Sequence, residues 1–246
     1  MMKDRFSSHS REYATFRPTY PKQLYDFVLS HVNNKSIAWD CGCGNGQVAN
    51  DLSPYFGKVI ATDLSPKQIE NAIRRENIEY SISKAEQTSF PDSTFDLITV
   101  GQALHWFDLP AFYKEVKRVA KPDGKLAIWG YSLLSISKEL DPIISHFYTK
   151  VVGPYWDKER KLIDERYQTI PFPFDEIKTP DFEFSFHWTR EHFLGYIATW
   201  SAVQNYKKVE GADPTKKLEA ELKSLWLEEE KKVTFPLFLR LGKVHN

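Results

Sequence analysis

Apolar and polar positions follow two alternating patterns along the first half of the chain. Short apolar runs, typical of buried strands, occupy residues 36–40, 58–63, 78–82, 95–100 and 125–129. Segments with apolar residues at helical spacing separate them, beginning with a predicted helix from Pro21 to His31 and including later ones at 46–52 and 110–120. Strands that alternate with helices are typical of βαβ units, so we expect an α/β fold with a parallel sheet.

Local signals mark where two of these helices begin and end. Ser65, Pro66 and Gln68 supply a capping serine, a first-turn proline and a glutamine at the third helical position, which together predict a helix start. The Lys-Pro-Asp-Gly run at 121–124 predicts that the helix before it ends there and that the fifth strand follows.

The pattern changes after Gly130, where aromatic residues become frequent. Segments 138–168 and 190–208 have helical spacing, whereas Asp181 to Trp188 alternates aromatic and polar residues as a half-buried strand does. A charged amphipathic helix is predicted at 218–232, and a last strand at 233–241.

No internal repeat or flexible linker divides the chain, so we expect one domain with an insertion rather than two domains. Within it, residues 1–35 form an N-terminal arm and helix, 36–130 form the ligand-binding core, and 131–246 form an insertion and the final strands.

Length and charge exclude several classes of protein. The 246 residues carry 33 basic and 33 acidic side chains, and this balance argues against a nucleic-acid or anionic membrane partner. No apolar run approaches the roughly 18 residues of a spanning helix, and the first residues lack the apolar core of a signal peptide. A cytoplasmic location is therefore predicted.

The most informative motif is the loop that follows the first strand. Asp40 ends the strand, and Gly42, Gly44 and Gly46 follow at alternate positions before a helix. Glycine allows close approach of a ligand to the backbone. A dinucleotide loop, G-x-G-x-x-G, would need its third glycine at position 47, which is Gln47. Asp40 would also repel a pyrophosphate, and it suits a cationic ligand such as S-adenosylmethionine (SAM).

Both cysteines, Cys41 and Cys43, lie inside this loop. A metal site would need two further ligands, and no matching Cys/His cluster is nearby in the sequence. We therefore interpret them as small buried side chains and predict no metal.

Further polar residues follow the other strands. Asp63 closes the second strand, where an acid can accept hydrogen bonds from both hydroxyls of a ribose. Ala85 and Glu86 follow the third strand, where an adenine ring would lie. After the fourth strand comes Gly-Gln-Ala-Leu-His-Trp-Phe, at the edge where parallel sheets bind ligands. Its His105 is a candidate general base, substrate contact or wall of the cofactor site.

The segment from Tyr13 to Pro21 combines Arg17 with three aromatic residues and two prolines. It is either a lid over the cofactor, with Arg17 facing a carboxylate, or an arm packed on the sheet.

Taken in order, these motifs resemble those of class I SAM-dependent methyltransferases: D-x-G-x-G-x-G at 40–46, Asp-Leu-Ser at 63–65, Ala-Glu at 85–86, Phe-Asp-Leu-Ile at 95–98 and Lys-Pro-Asp-Gly at 121–124. The arm and the Ala-Leu-His-Trp-Phe-Asp run at 103–108 are similar to the small-molecule group that includes trans-aconitate methyltransferase-like proteins. The resemblance covers residues 6–130. It implies a Rossmann-like, doubly wound, mostly parallel seven-stranded sheet with a helical, aromatic-rich insertion after the fifth strand.

The resemblance also implies roles for individual residues. The cofactor would be SAM, with S-adenosylhomocysteine (SAH) as the product, and it would be bound by Tyr13, Arg17, Asp40, Gly42, Gly44, Gly46, Asp63, Leu64, Ala85, Glu86 and Gln102. Many relatives have Asp where this chain has Lys84, and a lysine cannot accept a hydrogen bond from the adenine amino group.

The acceptor is expected to be a small molecule with a carboxylate, a hydroxyl or an acidic carbon. A carboxylate needs no base, whereas the other two would be helped by His105 as the catalytic residue. Candidate pocket walls come from the second half: Tyr131, Tyr155, Trp156, Trp200 and Tyr206. Arg240 could pair with an anionic acceptor, but a surface cation is the favoured interpretation. The sequence leaves the oligomeric state open.

Two other functions stay open at this point. One is a nicotinamide- or flavin-dependent oxidoreductase on a Rossmann sheet, which the position of the third glycine and Asp40 both disfavour. The other is a SAM-binding protein without catalysis, which only Lys84 favours.

Overall fold

The first half of the molecule alternates strands with helices. The structure, a computed structural model, describes residues 15–245. In chain order it contains α1 (Lys22–Ser30), β1 (Ile37–Cys41), α2 (Gln47–Leu52), β2 (Lys58–Asp63), α3 (Pro66–Glu70), β3 (Ile78–Ile82), β4 (Phe95–Gly101), α4 (Leu109–Val119) and β5 (Ala120–Tyr131). Each of these elements lies within a few residues of its predicted position. The Ser65 hydroxyl accepts from the Gln68 N–H at the start of α3, as the capping signal predicts.

The second half is mostly short helices followed by antiparallel strands. It contains α5 (Asp141–His146), a π-helical turn (Phe147–Val151), a 3-10 turn (Gly153–Tyr155), α6 (Arg160–Asp164), β6 (Asp175–Ile177), β7 (Phe182–Thr189), α7 (Arg190–Ala198), α8 (Ser201–Glu210), α9 (Thr215–Lys223) and β8 (Glu230–Lys243). As predicted, β7 is half-buried and alternates, with Phe184 and Trp188 buried and the polar residues between them exposed.

One sheet joins both halves. Its order is β3-β2-β1-β4-β5-β8, with β6 and β7 both paired to the outer edge of β8. The strands from β1 to β5 are parallel, and β8 runs antiparallel to β5. The predicted Rossmann-like, mostly parallel α/β sheet is confirmed. It has eight strands rather than seven because the three-residue β6 adds one at the edge.

Two predicted helices differ from the structure. The segment 138–168 is not one helix, because the π-helical turn and the Gly153–Tyr155 turn interrupt it. The helix predicted at 218–232 begins earlier, at Thr215, and ends at Lys223. Residues 230–232 instead pair with β7 as the start of β8.

The core lies on both faces of the sheet. Successive residues of a strand point to opposite faces, and in β5 Ala127 and Trp129 pack with α1 and α2, whereas Leu126 and Ile128 pack with α4. This double coverage explains the continuous apolar runs in the sequence. It leaves the ends of the strands as the places where polar loops meet.

Candidate functional site

The glycine loop lies where the order of the sheet reverses. β1 lies between β2 and β4, and ligands of open parallel sheets bind in the crevice at such a reversal. The N–H groups of Gly42 and Cys43 both donate to the carbonyl oxygen of Thr62, at 2.8 and 2.9 Å. These bonds fold the loop back over the end of β2 before α2 begins.

All three loop glycines adopt left-handed backbone conformations. Their φ angles are 71° at Gly42, 53° at Gly44 and 80° at Gly46. A Cβ at Gly46 would clash with the ring and hydroxyl of Tyr80, so packing as well as the left-handed backbone favours glycine there. A Cβ at Gly44 would meet no atom within 4 Å. Gly44 therefore leaves space above its backbone, which is what close approach of a ligand requires.

Asp40 is a buried carboxylate at the base of this loop. Its side chain accepts hydrogen bonds from the Ala49 N–H at 3.0 Å and from the Thr99 hydroxyl at 3.2 Å. Burial raises the pKa of Asp40 to about 7, against the effect of these two hydrogen bonds, and the Asp63 carboxylate raises it further. A cation bound next to Asp40 would favour its ionised form.

Asp63 connects the loop to the end of β2. One carboxylate oxygen accepts from the Gly44 N–H and the other from the Ser65 N–H, both at 2.8 Å. An ionised carboxylate is an acceptor-only group, so a side chain of this type at the end of β2 is chemically suited to a ligand hydroxyl. The structure thus brings Asp40, Gly44 and Asp63 together around one loop.

A cavity lies against this loop. It is lined by Arg17, Pro18 and Tyr20 of the arm, by residues of the glycine loop between Asp40 and Val48, by Gly101 and Gln102, and by Tyr131. Arg17 donates to the Tyr131 hydroxyl at 2.8 Å and to the Thr199 carbonyl oxygen at 3.3 Å. The arm therefore packs over the carboxyl edge of the sheet. Tyr13 lies outside the described residues.

Gln102 has an unusual conformation at this cavity. It is a non-glycine residue with a φ of 56°, and its amide pairs with the backbone of Tyr131 at 2.9 and 3.3 Å. Its side chain is therefore bonded to β5. Strained backbone of this kind is often found at functional sites.

The residues predicted to surround the adenine follow β2 and β3. Leu64 is half-buried, Ala85 is buried and Lys84 is exposed. Glu86 accepts from the Asp108 N–H at 3.0 Å. None of these four side chains lines the cavity described above.

His105 lies in an apolar setting beside Tyr167. The two are joined by a 2.9 Å contact between the imidazole Nδ1 and the phenol oxygen, and His105 is 8% exposed. Burial lowers the pKa of His105 to about 3, and the charge of Arg160 lowers it further. A histidine in this setting is neutral at pH 7 and is a weak base.

The predicted acceptor walls fall into three places. Tyr131 lines the cavity beside the glycine loop. Trp156 and Trp200 pack against each other, with ring centroids 5.6 Å apart. Tyr155 and Tyr206 form a separate ring pair, with centroids 4.8 Å apart, and the Tyr155 hydroxyl donates to Glu210.

The structure corrects the interpretation of Arg240. Its guanidinium donates to both carboxylate oxygens of Glu176 and to the carbonyl oxygens of Tyr167 and Ile170, and its side chain is only 11% exposed. It is therefore neither a surface cation nor a cation facing an acceptor. It joins β8 to β6 and to the segment before β6.

Two polar residues near the site were missed by sequence reasoning. Thr99 lies opposite Asp40 in the pairing of β1 with β4, and the only sequence signal is a hydroxyl in an otherwise apolar strand. Arg160 lies among Tyr148, Trp156 and Asp164. Only its contacts in the folded chain distinguish it from the many other cations.

A second, more open cavity lies beside α1 and α2 and is lined in part by Tyr25, Asp51 and Arg75. It contains none of the predicted site residues. In the part of the chain from 15 to 245, no three His, Cys, Asp or Glu side chains cluster as metal ligands, and no helix is long and apolar enough to cross a membrane.

The fold and the loop together define a Rossmann-like α/β protein with an acid-flanked, glycine-rich ligand site. A family described as a methyltransferase domain matches residues 39–128. A Dictyostelium discoideum protein that bears a methyltransferase name is 36% identical over 98% of this chain and 95% of its own length. The chain therefore belongs to the class I SAM-dependent methyltransferase family.

Solved structures agree with this assignment. The structure of a protein from Anaeromyxobacter dehalogenans, described as a type II methyltransferase, has a TM-score of 0.86 with 35% identity and covers 94% of this chain and 99% of that one. A Haemonchus contortus phosphoethanolamine N-methyltransferase in complex with SAM has a TM-score of 0.50 at 16% identity, covering 98% of this chain and 57% of that one. The second likeness concerns the fold alone.

Proposed function

We propose that this chain binds SAM at the glycine loop and transfers its methyl group to a small-molecule acceptor, releasing SAH. The observation that carries the proposal is the open space above Gly44, in a cavity that Asp40 also lines, with the Asp63 carboxylate bonded to the Gly44 N–H. When bound there, SAM supplies a methyl carbon on a positively charged sulfur, which an acceptor nucleophile can attack. Family membership supports the same cofactor.

The charges at the loop favour this cofactor over a dinucleotide. A pyrophosphate would lie beside two carboxylates, one of them buried in a low-dielectric setting where repulsion is strong. SAM has an ammonium and a sulfonium and no phosphate, so Asp40 would attract it. Asp63, an acid at the end of β2, would accept from the ribose hydroxyls.

The arm and β5 would close the site. Arg17 and Tyr131 are hydrogen-bonded to each other at the cavity, so together they form a wall between the glycine loop and the second half of the chain. Because the Gln102 amide is bonded to the Tyr131 backbone, we assign it the role of shaping this wall, with its own backbone facing the cofactor. Exclusion of water and alignment of the acceptor then account for most of the rate.

Residues 131–246 would supply the acceptor pocket within one domain, through aromatic rings near this wall such as Trp156 and Trp200. The absence of net charge supports a small-molecule acceptor over a nucleic acid or membrane surface, and it fits a cytoplasmic enzyme. His105 fits a neutral hydrogen-bonding wall better than a general base, because a catalytic base works best with a pKa near the working pH.

The test is calorimetric titration of SAM, SAH and NADH into the wild type and the variant Gly44→Ala. Gly211→Ala is the matched control, because Gly211 also has positive φ (66°) and no atom within 4 Å of a built Cβ. Both variants should lose a similar stability of about 1 kcal/mol from the strained backbone. Only Gly44→Ala should lose affinity for SAM and SAH, by at least about ten-fold. Binding of NADH alone, or equal SAM affinity in both variants, would contradict the proposal.

A further inference from the structure

Arg160 is a cation held among aromatic rings in the second half of the chain. Its guanidinium carbon lies 4.9 Å from the centroid of the Trp156 ring and 5.6 Å from that of Tyr148. Its Nε donates to the Tyr148 hydroxyl at 2.9 Å, and only 17% of its side chain is exposed. The proposed methyl transfer assigns no role to this residue.

Two of the three guanidinium nitrogens have no partner among the described residues. Within residues 15–245, neither Nη nitrogen of Arg160 has a hydrogen-bond partner. Its carboxylate neighbour, Asp164, lies 3.6 Å from Nε and itself accepts from the Tyr148 hydroxyl at 2.6 Å. Neither Nη nitrogen is among the buried polar atoms without a partner, so these donors are accessible to a ligand from solvent. The two Nη nitrogens form the planar fork that a carboxylate fits.

A continuous series of contacts joins this fork to the cofactor cavity. Arg17, which lines the cavity, lies over the Tyr196 ring at 5.3 Å. Tyr196 packs against Trp200, and Trp200 packs against both Tyr148 and Trp156, with centroid distances from 5.4 to 5.9 Å. The charge of Arg160 also contributes to lowering the pKa of His105, which follows β4 at the same edge of the sheet.

We propose that the Nη face of Arg160 binds the carboxylate of a small organic acid, whose apolar part packs on the half-buried Trp156. This inference rests on the proposed function, since it takes the acid to be the methyl acceptor. The neighbouring Asp164 favours a carboxylate with one negative charge over a phosphate with nearly two, because its own charge repels the larger charge more strongly.

The experiment uses the full chain saturated with SAH and two pairs of probes, phenylacetate with phenylacetamide and hexanoate with hexanamide. Each pair has the same apolar part and differs in charge. Ligand-observed NMR titration measures each dissociation constant. At least one acid should bind about ten-fold or more tightly than its amide, as expected for a charge-assisted bidentate contact.

Three variants assign the effect to Arg160. Arg160→Gln should remove the preference for the acid, and Asp164→Asn, which removes the competing charge, should increase it. Arg166→Gln is the control, because Arg166 is an exposed arginine of the same segment whose partner is Asp181. Opposite effects of the first two variants cannot arise from a shared loss of packing, and thermal unfolding checks that each is folded.

A SAM titration on samples of the same proteins without SAH separates the two proposals. If the wild type does not bind SAM, the proposed function itself is contradicted. If SAM binds but no acid binds better than its amide, or if Arg160→Gln retains the preference, the proposed function stands and the assignment of Arg160 is wrong.

Discussion

At the scale of single residues, the site uses burial to set the charge of its polar groups. Asp40 and His105 are both nearly inaccessible, and burial shifts both pKa values towards the neutral form of the side chain, upwards for the acid and downwards for the base. The two residues therefore contribute opposite pH dependences to the free energy of unfolding. Each dependence can be isolated by one substitution.

Asp40→Asn should stabilise the empty protein at alkaline pH. The pKa of Asp40 is about 7 in the folded chain and near 3.8 when unfolded, so its contribution to stability is present below pH 3.8 and is lost as the pH rises through 7. Asparagine can keep both hydrogen bonds without a charge. Denaturant unfolding at pH 8 should show a gain of up to about 4 kcal/mol, with little gain at pH 4.

The same variant should bind SAM more weakly at pH 8, because it lacks the charge that attracts the cationic ligand. Calorimetry on the protein used for unfolding measures this loss. An equal stability difference at both pH values would mean that Asp40 is not a buried ionisable group. Unchanged SAM affinity would remove its assigned role.

His105→Gln should reduce the loss of unfolding free energy that accompanies a fall in pH from 7 to 4. The pKa of His105 is about 3 in the folded chain against 6.5 when unfolded, so its contribution is present above pH 6.5 and is lost as the pH falls towards 3. The wild type should therefore lose up to about 3 kcal/mol more than the variant between pH 7 and pH 4. Urea unfolding across this range measures the difference, with His187→Gln on the exposed face of β7 as the control. Parallel profiles for wild type and His105→Gln would show that His105 is not buried as a neutral base.

At the scale of elements, one acid fixes the start of β1 against its neighbours. Asp96 in β4 accepts from the N–H groups of Ser36 and Ile37 at 3.0 and 2.9 Å and pairs with Lys121 of β5 at 2.9 Å. It is 5% exposed. The Phe-Asp-Leu-Ile and Lys-Pro-Asp-Gly motifs thus meet in a structural contact away from the cavity.

Asp96→Ala should therefore destabilise the fold without a direct effect on ligand binding. Its loss leaves two backbone donors and a partly buried ammonium without their acceptor, at a cost of about 3–5 kcal/mol. Chemical unfolding measures this cost, and Asp123→Ala, at an exposed position of the same motif, should cost less than about 0.5 kcal/mol. Where the Asp96→Ala protein is folded, its SAM affinity should equal that of the wild type. A specific loss of affinity would indicate that the contact also sets the position of the glycine loop.

The sequence predicted the elements whose signals are local. Strands β1 to β5 and their helices follow from apolar runs, capping residues and turn residues, and the glycine loop follows from its spacing. The helix predicted at 218–232 was wrong in its second part, because the Glu-Lys run there has helical propensity but residues 230–232 pair with β7. Tertiary pairing outweighs a propensity of a few tenths of a kcal/mol per residue.

In the site, too, the sequence predicts residues that belong to local motifs and misses those placed by tertiary packing. Asp40, Gly44 and Asp63 lie next to ordered motifs, so their positions could be predicted. Arg160 of α6 meets Tyr148 and Trp156 only after the π-helical turn, the turn before α6 and α6 itself have packed together, and no motif in the sequence reports such a contact. Residues that act through packing between short helices require the structure.

At the scale of the whole molecule, β8 joins the two halves of the chain. It pairs along seven residues with β5 of the first half and along eight with β7 of the second, and Leu237 is a partner of both strands. The apolar cluster that contains α1 and α2 also contains Trp188, Trp200 and Phe235. We therefore propose that the core and the aromatic second half form one cooperative domain.

Heating should then unfold the two halves in a single transition. SAH at about 100 times its dissociation constant should add about 2.7 kcal/mol to the free energy of unfolding. For a chain of this length, this raises the midpoint of thermal unfolding by about 5–10 °C. Hydrogen exchange followed by mass spectrometry, at temperatures just below the midpoint, reports each segment separately. SAH should slow exchange in α7 and α8 as much as in β1 and β4, although only the first half has the predicted SAM contacts.

Protection confined to residues 36–130, or a second transition that SAH does not shift, would show that the aromatic half is an independent unit. The acceptor pocket would then have to form by docking of that unit onto the core.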